Sequence, residues 1–133
     1  MSCKNLIYTA QTTQADVLAG GAVPLGTIIR RYGACIDLNG NGISRNENGY
    51  YKVDANVVVA AEAAGNITAT LMANGVAYPG AVATATAAAA GDIVTLPISA
   101  IVRAFCCAGP VVLTLILSAA GTVSNATVAV ERL

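Results

Sequence analysis

The sequence predicts an all-β fold of short antiparallel strands arranged as a sandwich or barrel. Turn signals recur along the whole chain, at Gly20-Gly21, Asn39-Gly40-Asn41-Gly42, Asn48-Gly49, Gly65-Asn66, Asn74-Gly75, Pro79-Gly80, Gly91-Asp92 and Gly109-Pro110. The segments between them are short and rich in Val, Ile, Thr and Tyr, the composition of strands. No segment carries an apolar stripe at helical spacing, and no internal repeat is evident.

Period-two alternation assigns faces to the predicted strands. Over residues 51–59, Tyr51, Val53, Ala55, Val57 and Val59 point one way, and Lys52, Asp54 and Asn56 the other. The first set is core and the second is wet. The run at 81–90, AVATATAAAA, has the propensity of a helix, but its alternating Thr84 and Thr86 and its flanking turns favour a small-residue strand or loop. Over 93–102, Val94, Leu96, Ile98, Ala100 and Val102 form an apolar face, and Pro97 opposite them implies an edge or a bulge. The segment at 111–118 is apolar on both sides: Leu113, Leu115 and Leu117 on one, Val112, Thr114 and Ile116 on the other. An antiparallel strand with one wet face alternates more cleanly, so this one is expected to be covered on its second face.

Composition bounds the function. The 133 residues fit one domain, 1–133, long enough to bury about two-thirds of the surface its unfolded form exposes. Hydrophobic residues make up 56% and charged ones 11%, which leaves few charges to keep a lone monomer soluble and points to self-association. Seven basic and seven acidic residues cancel, so neither a nucleic-acid nor an anionic-membrane partner is implied. The start, MSCKNLIYTAQ, has no signal-peptide pattern and reads as mature from Met1. The most apolar stretch, 111–120, falls far short of the ~20 residues that span a bilayer as a helix.

The motifs occur in a particular order: Gly49-Tyr50-Tyr51-Lys52-Val53, Asn74-Gly75-Val76 running to Pro79-Gly80, Gly91-Asp92-Ile93-Val94-Thr95-Leu96, and a closing strand at 126–133. With Tyr8-Thr9-Ala10 and the turn at Gly20-Gly21-Ala22-Val23, this order covers nearly the whole chain and resembles the tumour-necrosis-factor-like jelly roll. That superfamily includes complement globular heads, spore-surface collagen-like protein heads and many phage virion proteins. The resemblance implies a two-sheet antiparallel jelly-roll sandwich that assembles as a homotrimer, with one sheet facing the three-fold axis. Leu113, Leu115 and Leu117 are the bulkier row of the strand at 111–118 and are expected between the sheets, so Val112, Thr114 and Ile116 are expected to face the neighbours at that axis, with Tyr8 or Tyr50 as the aromatic partner. Tyr51, Val53, Val57, Leu113, Leu115 and Leu117 then fill the space between the sheets. The chain has no Gly-X-Y stalk, and with its segment Gly26-Thr27-Ile28-Ile29-Arg30-Arg31-Tyr32-Gly33 it looks more like a phage head-fibre or capsid-decoration protein than a spore head.

Sites of chemistry are scarce. The chain has no histidine, so Ser-His-Asp, Cys-His and histidine-ligated metal sites are excluded. Asp37, Glu47, Asp54 and Glu62 supply the carboxylates of a glycosidase pair in principle, but solvated charges on outer faces are the favoured reading. Asp37-Leu38-Asn39-Gly40-Asn41-Gly42 matches the first half of a calcium loop. Position nine of that loop is Arg45 and position twelve is Asn48, so a plain hairpin turn is favoured. Arg30 and Arg31 should point to opposite faces, which suits salt bridging or docking better than phosphate binding. Cys3, Cys35, Cys106 and Cys107 lack zinc spacing and are expected as free thiols. Asn66-Ile67-Thr68 and Asn125-Ala126-Thr127 match the glycosylation pattern but are expected simply where a turn meets a strand.

The sequence therefore predicts a non-enzymatic protein without cofactor or metal. Its expected partners are further copies of itself and, on the virion surface, a major capsid protein. The alternative is a head that binds a host-surface glycan or receptor, on a tail tip or a bacterial spore or cell surface.

Overall fold

The computed structural model describes residues 6–33, 36–39, 42–45, 49–104 and 111–133. Among them run the strands β1 (Leu6–Gln11), β2 (Ala15–Val17), β3 (Thr27–Tyr32), β4 (Ile36–Asn39), β5 (Gly42–Arg45), β6 (Gly49–Ala61), β7 (Gly65–Ala73), β8 (Val76–Ala87), β9 (Ile93–Ala104), β10 (Val111–Leu117) and β11 (Gly121–Arg132). They form two antiparallel sheets, the first in the order β3-β1-β11-β6-β9 with β2 beside β11, the second in the order β4-β5-β10-β7-β8. The chain passes between sheets after β3, β5, β6, β8, β9 and β10, the weave of a jelly roll.

The core lies between the sheets and follows the alternation. Tyr51, Val53, Val57 and Val59 on β6 are fully buried, and Ala55 nearly so, while Lys52, Asp54 and Asn56 are exposed. From the second sheet, Leu113, Leu115 and Leu117 meet them, all buried. Each such burial contributes about 1.5–3 kcal/mol before the entropy of ordering is set against it. Pro97 sits on β9, an edge of the first sheet, where its missing N–H costs no ladder bond.

The alanine-rich run forms the second half of β8. Ala81, Ala83, Ala85 and Ala87 point inward, and Thr84 and Thr86 point outward, where Thr84 shares a 3.0 Å hydrogen bond with Thr68 and Thr86 donates to Asn66 at 2.7 Å. Tertiary pairing with β7 thus overrides helical propensity. β7 and β8 are joined by Asn74 and Gly75, both at positive φ (52° and 81°), with Ala73 opposite Val76. That is the two-residue hairpin favoured by an Asn-Gly pair.

The closing strand is longer than the alternation at 126–133 suggests. β11 begins at Gly121, and a bulge between Val123 and Asn125 breaks its period, so that Val123 and Ala126 both face the core. Asn125 therefore lies within a strand and not at a turn, whereas Asn66 follows Gly65 at the start of β7.

Residues 18–25 act as a strap across one end of the sandwich. β10 pairs β5 only through Val111, Val112 and Leu113. Beyond that the strap takes over β10's edge: Gly20 N donates to the Leu117 carbonyl at 2.7 Å, Val23 N donates to the Leu115 carbonyl at 2.8 Å, and Leu117 N donates to the Gly21 carbonyl. Val23 and Leu25 drop from the strap into the core, fully buried. Gly26 then turns the chain into β3 at φ +76°, pressed so closely on β1 that a Cβ would run into the Ala10 carbonyl.

Candidate functional site

The two outer faces of the sandwich differ in chemistry. On the second sheet the outer face is a carpet of small polar groups: Asn66, Thr68 and Thr70 on β7, Thr84 and Thr86 on β8, Thr114 on β10. Their hydroxyls engage one another across the strands. Val112, Thr114 and Ile116 belong to this face and are each half-buried within the single subunit. β10 is central in its sheet, and its neighbours on β5, β7 and the strap shelter its reverse side. Val112 Cγ1 lies so close to Gly42 that a Cβ there would meet it at 2.7 Å.

The outer face of the first sheet is more apolar and less covered. Strand register sets out its rows: Arg30, Tyr8, Ala129, Asp54 and Ser99 in one, Thr27, Ala10, Thr127, Asn56 and Pro97 in the next, Tyr32, Leu6, Glu131, Lys52 and Ile101 on the other side. Ala129 between Tyr8 and Asp54, and Thr127 between Ala10 and Asn56, are small, which leaves a shallow depression of about 440 Å³ at the centre of the face. Its polar rim is preorganised, since the Ser99 hydroxyl donates to Asp54 Oδ1 at 3.0 Å. Lys52 Nζ lies 3.8 Å from Asp54 Oδ2, with both side chains about half exposed, so this ion pair contributes little to stability.

Large apolar side chains left in water concentrate around this sheet. Tyr32, Tyr50, Ile93 and Ile101 are 53–71% exposed, and Leu133, bonded through its N–H to the Tyr50 carbonyl, is 63% exposed. β3, at the sheet's edge, is exposed along its whole length, including Ile28 and Ile29. Arg103 lies over the Tyr50 ring at 5.4 Å, a cation–π contact that holds the ring at the surface. Such a concentration marks a surface built to be covered.

The five residues expected at the trimer interface lie on two faces of the subunit. Tyr8 and Tyr50 lie on the outer face of the first sheet, whereas Val112, Thr114 and Ile116 lie on the outer face of the second, with the whole core between. Sequence reasoning fixed which way each side chain points, but the assignment of β10 to the sheet opposite Tyr8 comes from long-range pairing. The first-sheet face was passed over because Lys52, Asp54 and Asn56 read simply as wet. Its available signal was the run of small residues, Thr127 and Ala129, opposite them.

The remaining candidates do not converge. Asp54 sits mid-strand, and Glu62 follows the end of β6, eight residues and about 26 Å of strand away, far beyond the ~5–9.5 Å of a glycosidase pair. Glu47 lies outside the described residues, as do the side chain of Asp37 and all four cysteines. Asn39 pairs with Gly42 across the β4–β5 hairpin, while Gly40, Asn41 and Asn48 of the calcium-like segment are outside the described residues. Arg30 and Arg31 pair with Tyr8 and Ile7 and so point to opposite faces of β3. Among the described residues no three metal-ligating side chains come together, and no helix is long and apolar enough to cross a membrane.

This weave of a six-strand and a five-strand layer is the tumour-necrosis-factor-like jelly roll, and comparison with solved structures supports that class. Murine APRIL superposes with a TM-score of 0.76 at 9% identity, covering 98% of this chain and 99% of that one. The PRD1 vertex protein P5 gives 0.65 at 12% identity over 100% and 99% of the two chains. The globular domain of zebrafish complement 1qA protein gives 0.67 at 8% identity over 96% and 95%. No protein-family model and no curated protein sequence matches the chain.

Proposed function

We propose that this chain is a non-enzymatic virion structural protein, a trimeric capsid-decoration or head-fibre domain displayed on the particle surface. The observation that carries the reading is the outer face of the first sheet, where a shallow depression is surrounded by apolar side chains held in water. The likeness to the PRD1 vertex protein P5, over essentially the full length of both chains, supports the virion setting. Three copies packed around that face would bury the central depression with Tyr8, Tyr32 and Ile101, and leave both ends of the strands and the threonine carpet of the second sheet outward. Major capsid protein is the proposed dock.

The competing placement runs the axis along Val112, Thr114 and Ile116, each half-buried in the single subunit. Light scattering on two variants separates the two. Ala129→Asp sets a carboxylate in the first-sheet depression and should reduce the assembly to monomer, because three buried like charges cost more than the contact returns. Ile116→Asp should leave the assembly intact. The reverse outcome transfers the axis to β10, and a natural chain that is monomeric removes the proposal altogether. A receptor- or glycan-binding head, on a tail tip or a spore surface, is the alternative. Genes for capsid and portal proteins beside this one favour decoration, and tail and baseplate genes favour the alternative.

A further inference from the structure

The formal charge of zero conceals a separation along the strand axis. At one end of the sandwich lie the β1–β2 turn, the strap and the loops after β6, β8 and β10. That end carries Asp16, Glu62 and Asp92 and, among the described residues, no lysine or arginine. The cations of the described residues, Arg30, Arg31, Arg45, Lys52, Arg103 and Arg132, all lie in the half nearer the other end, where they outnumber the acids Asp37, Asp54 and Glu131 and leave a net positive charge. The thirteen residues of β6 set the two ends about 40 Å apart. Several Debye lengths at ordinary salt separate them, so neither end neutralises the other within one molecule.

The shapes of the ends add a second observation. Asp16 and Glu62 border one depression of about 530 Å³, floored by Gly91 and Gly121 and flanked by Leu18, which is 77% exposed. Ile93, also at this end, is 71% exposed. The basic end presents exposed Tyr50 and Leu133 beside Arg103. Each end therefore pairs exposed apolar surface with net charge of one sign, and the complement of each is the other.

We infer that copies of this protein associate end to end, the acidic end of one receiving the basic end of the next. The contact is heterologous, and because its two halves lie at opposite poles of the strand axis it extends into a stack and not into a closed ring. It requires no particular number of subunits per layer and so stands apart from the trimer proposed above. Its strength is set by surface charge and must fall steeply with salt, as the Debye length shrinks from ~10 Å at 0.1 M to ~3 Å at 1 M.

Sedimentation velocity on the full chain tests this, with growth measured against whatever species persists at high salt. At low ionic strength the natural protein should form larger species that revert, with at least about a tenfold weaker association, at high salt. Asp16→Lys with Glu62→Lys should abolish the growth, as should Arg31→Glu with Arg103→Glu, and mixing the two variants should restore it as hetero-association. If the basic-end variant does not fold, the acidic-end variant decides alone. No salt-dependent growth in the natural protein, or undiminished growth in the acidic-end variant, overturns the inference. So does an acidic end that binds soluble polylysine but not a second copy, which would assign that end to a foreign basic partner.

Discussion

Leu115 and Ile116 are neighbours on β10 that face opposite ways, and truncating each to alanine measures what the two sides of that strand are worth. Leu115 is 1% exposed and lies between the sheets, so Leu115→Ala leaves a cavity the packed core cannot collapse and should cost about 3–4 kcal/mol. For a domain of this size that corresponds to a fall in Tm of roughly 10–15 °C. Ile116 is half-buried, opposite Thr70 on β7 and bridged to Ala22 of the strap, so Ile116→Ala loses part of one side chain's burial without enclosing a void. Its expected cost is about 1 kcal/mol, or roughly 3–5 °C. Calorimetric melts at matched protein concentration check both, since assembly makes Tm depend on concentration. Equal losses would refute the one-sided core. A loss at Ile116 that grows on dilution would place that residue in an interface.

Two further substitutions probe the backbone and the core. Gly26→Ala puts a Cβ against the Ala10 carbonyl at a left-handed φ and should cost at least about 3 kcal/mol, seen as a lower melt or loss of soluble protein; an unchanged melt would show that the strap does not hold the position drawn for it. Thr9 is fully buried, and among the described residues its hydroxyl has no hydrogen-bond partner. Thr9→Val keeps the shape, removes the unmet hydroxyl and should raise stability by about 1 kcal/mol, whereas destabilisation would reveal a partner for that oxygen.

The sequence was most informative where period two held without interruption. β6 and β9 were legible residue by residue because each has one buried and one wet face, and the Asn-Gly turn at 74–75 announced its hairpin. β11 was legible only from 126, because the bulge at 123–125 puts Val123 and Ala126 on one face across an odd step. The strap was not legible at all. Its hydrogen bonds to β10 join positions nearly a hundred residues apart, and no local pattern encodes such a pairing. The same limit applies to the candidate interface residues: the direction of each side chain was local, but the sheet to which each strand belongs was not. The two-faced apolarity of β10 goes with its place at the centre of the second sheet, where its lateral neighbours are β5, β7 and the strap and its outward side chains are partly buried within one subunit.

Sedimentation equilibrium on the natural chain, at high salt and over a wide range of concentration, bears most directly on the central claim of a self-assembling head. The expected result is a single mass of three times 13.3 kDa that persists on dilution. A well-folded species of 13.3 kDa across the range would contradict it, and would leave the exposed face of the first sheet to a different partner.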